Sequence, residues 1–91
     1  MEKRVRVQVA GRVQGVFYRA STKAKAEELG VVGTVEGQPD GSVEIIAQGP
    51  TEKVNELIEW AKKGPPKARV DGIQVEEEAP TGEFAEFRVL R

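Results

Sequence analysis

The sequence predicts an α+β sandwich, an antiparallel-dominated sheet with two helices on one face, on the ferredoxin-like (split βαβ) plan. Three observations predict it. Hydrophobic periodicity switches between strand-like and helix-like spacing in the order β-α-β-β-α-β, with a further strand at the end. Turn signals at Gly30, Pro39-Asp40-Gly41, Gly64-Pro65-Pro66 and Thr81-Gly82 fall between those segments. The chain of 91 residues fits one domain, 1–91, with one modest core. There is no internal repeat, low-complexity tract or linker.

Each element has its own warrant. Val5, Val7 and Val9 alternate with Arg4, Arg6 and Gln8, which predicts a strand with one buried face. Residues 11–19, GRVQGVFYR, read as a glycine-pinned loop. Residues 20–29 are good helix formers without Pro or Gly, and Tyr18, Thr22, Ala26 and Leu29 share a helical face. Gly30 suits the left-handed C-terminal cap. Residues 31–38 form a weak strand thinned by Gly33 and Gly37, and residues 42–47 a better one. Pro39-Asp40-Gly41 turns between them, giving a hairpin. Gly49-Pro50 opens a second helix, in which Val54, Leu57, Ile58 and Ala61 follow the apolar-stripe rule. Ile73 and Val75 alternate with Gln74 and Glu76 in a fourth strand, and Phe87 and Val89 mark a last one.

Composition excludes several classes. There is no cysteine, hence no disulfide and no thiolate chemistry. There is no histidine, which removes the usual general base and the commonest metal ligand. Lys+Arg is 14 and Asp+Glu is 15, and a net charge of -1 does not suggest a nucleic-acid binder. The first 25 residues are nonetheless basic, while Glu76, Glu77 and Glu78 crowd the other end. No apolar stretch is long enough to span a bilayer, and nothing at the N-terminus reads as a signal peptide. A soluble, cytoplasmic monomer is expected.

The loop is the chemical feature. Glycines between a strand and a helix let successive N–H groups turn inward, and a helix N-terminus behind them completes an anion nest. Arg19 at the helix entrance adds a guanidinium fork matched to phosphate oxygens. The spacing is neither a Walker A loop nor a dinucleotide fingerprint. Spacing alone leaves two readings open: a phosphate or carboxylate cradle, or a glycine-eased turn with Arg19 solvated.

The full string GRVQGVFYR closely resembles the acylphosphatase signature, Gly-x-Val-Gln-Gly-Val-x-Phe/Tyr-Arg. LGVVGTVEGQPDGSVE (29–44), GPPKARVDGIQVE and the final EFRVL resemble later family segments, so the likeness covers nearly the whole chain. It implies hydrolysis of the carboxyl–phosphate bond of acyl phosphates, without metal or organic cofactor. Carried onto this chain, the phosphate of an acyl phosphate, or inorganic phosphate, sits on the amides of Gly15, Val16, Phe17, Tyr18 and Arg19, with the Arg19 guanidinium on its oxygens.

One position departs from the pattern. The family uses an asparagine shortly before the Asp-Gly turn to hold the attacking water, and the matching residue here is Gly37. Thr34 stands where the family has Trp or Tyr. Gln38 is adjacent, but neighbours on a strand face opposite ways, so it substitutes only if a bulge at Gly37 re-aims it. A competent cradle with impaired hydrolysis is therefore expected. The alternatives are a non-catalytic anion-binding module and an engineered stable scaffold that keeps the motifs without the function. Trp60, Phe84 and Phe87 read as packing residues rather than stacking platforms. The run of three glutamates reads as a solvated edge rather than a metal site.

Overall fold

In the computed structural model, which describes residues 1–90, β1 (Glu2–Arg12) lies inside a five-stranded sheet. Its neighbours are β3 (Val43–Pro50) and β4 (Arg69–Glu78), both antiparallel to it. β2 (Val32–Gly37) pairs antiparallel with β3, and the short β5 (Phe87–Val89) runs parallel to β2. The sheet order is β4-β1-β3-β2-β5. Helices α1 (Tyr18–Leu29) and α2 (Thr51–Ala61) make the second layer.

The alternation in β1 decides which face they cover. Val5, Val7 and Val9 are buried, together with Val35, Val43, Ile45 and Ala47 of the paired strands. Tyr18, Thr22, Ala26 and Leu29 of α1, and Val54, Leu57 and Ala61 of α2, close over them. Each buried Val or Leu side chain contributes about 1.5–3 kcal/mol by leaving water. Gly30 caps α1 in the left-handed conformation, its N–H donating to the carbonyls of Ala26 and Glu27.

The opposite face of the sheet carries an ion-pair network. Arg4 Nε donates to Glu78 at 3.0 Å and Arg4 Nη1 to Glu83 at 2.7 Å, while Arg6 Nε donates to the other Glu78 oxygen at 3.0 Å. The Phe84 ring lies 5.0 Å from the Arg4 guanidinium carbon, and Arg4 is only 8% exposed. Gln48 fastens the same segment by donating to the Thr81 carbonyl and accepting from its N–H. The Arg4 guanidinium, then that of Arg6, holds the Glu78 carboxyl below its usual range.

Several expectations change. β1 runs on to Arg12, into the stretch expected to be loop, because Gly11 accommodates a register shift against β4. At φ 130° and pressed against the Arg69 carbonyl, Gly11 has no room for a side chain. α1 begins at Tyr18, and β3 extends to Pro50. Ile58 is half-buried, at the margin of the α2 stripe. Val75 is exposed and Ile73 half-buried, because β4 is an edge strand that the helices do not reach over. Of the three glutamates, Glu76 and Glu77 are exposed, but Glu78 is drawn into the arginine network.

Candidate functional site

The strand-to-helix connection is anchored from three sides. Val13 and Val16 insert into the core. The Gln14 amide nitrogen crosses to the hairpin and donates to the carbonyls of Gln38 (2.9 Å) and Ser42 (2.8 Å). The buried Tyr18 phenol donates to the Ala61 carbonyl at 2.7 Å, and its ring packs against Trp60 with centroids 5.6 Å apart. Burial pushes the Tyr18 phenol well above its ordinary pKa. The backbone of the segment between these anchors is therefore held in place.

That backbone presents donors. Gly15 (φ 73°) and Phe17 (φ 64°) are both left-handed, and alternating handedness turns successive N–H groups to one side. Phe17 is the N-cap of α1 and gives no side-chain cap, and the first turn holds no acidic residue. The first helical N–H with a partner is that of Ser21, on the Phe17 carbonyl. Among the described residues, no backbone carbonyl takes the N–H groups of residues 15–20. An uncapped helix start with free donors attracts an anion.

Arg19 sits at this start. A cation at a helix N-terminus is disfavoured by the helix dipole unless an anion lies between them. No carboxylate among the described residues lies within ion-pair distance of Arg19. Gly15, Phe17, Tyr18, Arg19 and Ala20 line a cleft of about 390 Å³, with Val89 of β5 also in its lining. A larger groove along α2 is lined by lysines and glutamates, several already paired with one another, such as Lys62 with Glu59.

Gly37 ends β2 opposite Val43 and shares the helix-side face with Val35. A Cβ built there would lie 3.4 Å from Arg19 Nη1 and 3.2 Å from the Gln14 amide nitrogen. The position thus points at the arginine. The ladder runs without a shift through Gly37, and the Gln38 N–H continues it to the Ser42 carbonyl. No bulge re-aims Gln38. The amide beside Gly37 belongs to Gln14, whose part in the site the sequence reasoning missed; a polar residue between two buried valines was the available signal.

The acylphosphatase family model matches residues 5–89. The chain belongs to the acylphosphatase family. It is 60% identical over 89 residues to the acylphosphatase of Methylococcus capsulatus, covering 98% of this chain and 97% of that one. Among solved structures, an acylphosphatase from Coxiella burnetii superposes with a TM-score of 0.92 at 41% identity, covering 97% of this chain and 92% of that one. The acylphosphatase from Bacillus subtilis gives 0.93 at 33% identity, covering 100% of both. These acylphosphatases share the two-layer architecture described above. No helix among the described residues is long and apolar enough to cross a membrane, and no group of three or more acidic side chains is placed to hold a metal ion.

Proposed function

We propose that the chain hydrolyses the carboxyl–phosphate bond of acyl phosphates, holding the phosphate on the amides of residues 15–19 and the guanidinium of Arg19. The single observation that carries this is the run of unpartnered N–H groups at the uncapped start of α1, with Arg19 in the same cleft. Water attacks phosphorus, the bond from phosphorus to the acyl oxygen breaks, and the carboxylate departs. Both hydrogens of the water end on inorganic phosphate. Such a transfer runs largely on positioning and on stabilising charge in the equatorial oxygens, which the amides and Arg19 supply.

Gly37 bears on the rate. In the family that the chain resembles, an asparagine at this position holds the water, and Gly37 offers no side chain. Removing one positioned polar group costs about 10²- to 10³-fold in rate. Impaired turnover with intact phosphate binding is the expected phenotype. The same glycine favours a second reading, a non-catalytic anion-binding module.

Inorganic phosphate titrated into the protein and followed by amide NMR tests the cradle. Shifts confined to residues 15–20 are expected, and Arg19→Ala weakens binding by about 1.5–3 kcal/mol. Shifts elsewhere, or unchanged affinity in the variant, would refute the cradle. Benzoyl phosphate turnover by the parent then separates a hydrolase from a binding module.

A further inference from the structure

Phe17 is anomalous in two independent ways. It is the one non-glycine residue with positive φ among the described residues, and a bulky side chain there is strained. The residue is also 76% exposed. Two residues earlier, the chain meets the same backbone demand with Gly15. Glycine or asparagine at 17 would meet it with less strain and without an aromatic ring in water. Nothing in the packing of the fold uses the ring, which is absent from the core cluster.

The ring stands where a bound phosphate would need a neighbour. Phe17 lines the same cleft as Arg19 and Ala20, and Val89, 42% exposed, faces it from β5. Leu90, also exposed, follows Val89 and is fixed by its N–H to the Val35 carbonyl. The cleft is roomier than a phosphate fills. If three phosphate oxygens sit on the amides and Arg19, the fourth, which bears the acyl group, is left for the remainder of a cleft lined by Phe17 and Val89. No acidic side chain lines the cleft, so an acyl group bearing an ammonium finds no partner there.

We infer that Phe17 and Val89 form an acyl-group subsite, and that the preferred ligands are acyl phosphates with an aromatic or bulky apolar acyl group. The inference rests on reading the cleft as an acyl-phosphate site. The ring would pack on the acyl group, and the left-handed backbone holds it at the mouth rather than folded into the core.

The test uses two non-hydrolysable mimics, benzoylphosphonate and acetylphosphonate, with inorganic phosphate as the reference for the cradle. Dissociation constants are measured for the parent, Phe17→Asn and Val89→Ser. Asparagine tolerates positive φ, so that variant keeps the loop conformation while removing the ring. The parent should bind benzoylphosphonate about 3- to 10-fold more tightly than acetylphosphonate, the range for one aromatic contact. In Phe17→Asn the ratio should fall to about one, and in Val89→Ser to an intermediate value. A ratio that survives in Phe17→Asn, including one in which all ligands weaken alike, overturns the subsite. So does a parent without preference, or without phosphate binding at the loop. Preference lost on substitution, in a parent that turns over neither benzoyl nor acetyl phosphate, supports the subsite and refutes the hydrolase instead.

Discussion

The Tyr18 hydroxyl donates to the Ala61 carbonyl at 2.7 Å, tying the first turn of α1 to the last residue of α2. The bond is buried, and an acceptor left alone there would lose its hydration without recompense. Tyr18→Phe should lower stability by about 1–3 kcal/mol, the cost of orphaning a buried polar group. Urea melts should show a lower midpoint with an unchanged slope. An unchanged midpoint would mean that water reaches the Ala61 carbonyl.

Gly37→Asn should raise benzoyl phosphate turnover by about 10²-fold, mainly in kcat, because the new amide would act on the water rather than the phosphate. Gly37 does not have positive φ, so asparagine meets no backbone strain. Its Cβ would press on the Gln14 amide, which must yield a few tenths of an ångström against its bonds to Gln38 and Ser42. Gly37→Ala makes the same contact without the amide and is the control. Equal turnover in parent and Asn variant would show that another group, with the Gln14 amide the nearest candidate, already orients the water.

Acid should unpick the network beneath the sheet. The Glu78 carboxyl is held below its ordinary range by the Arg4 and then the Arg6 guanidinium. A depressed folded value means that the stabilisation is present above the unfolded pKa of about 4.3 and is lost as pH falls through the folded one. Asp40, lowered by the Ser42 hydroxyl and then its N–H, adds a change of the same sign. Melting temperatures of the parent and Glu78→Gln should therefore differ at neutral pH and converge below about pH 4. Curves that stay parallel would rule the linkage out.

The α2 stripe separates core from surface within adjacent residues. Leu57 is buried and Glu56 exposed. Leu57→Ala should cost about 2–5 kcal/mol and Glu56→Ala less than about 0.5 kcal/mol in denaturant melts. Similar small losses from both would mean that α2 does not pack as described.

Period and turn chemistry made most of the fold legible. The valines of β1, the Tyr18-Thr22-Ala26-Leu29 face and the Gly30 cap could be read because each is a local pattern with a local cause. Long-range geometry could not. Nothing local to Val75 says that the helices stop short of its strand, and nothing local to Glu78 says that two arginines more than seventy residues away will hold it. At the site, the loop and Arg19 were visible in the string, whereas the Gln14 bridge to the hairpin spans 24 and 28 residues and emerged only with the tertiary structure.

The placement of β1 bears on how the molecule forms. The first strand of the chain is hydrogen-bonded to β3 and to β4, and Arg4 meets Glu78 across a separation of 74 residues. Closing so long a loop precedes any reward from the contacts it makes, which slows folding. The anion loop follows β1 directly and borrows its anchors from α2 and from the β2–β3 hairpin. It therefore takes shape only once α2 and the hairpin have docked against it. Phosphate should accordingly leave the refolding rate nearly untouched and slow unfolding, so that the ligand lengthens the lifetime of the native state rather than guiding its assembly.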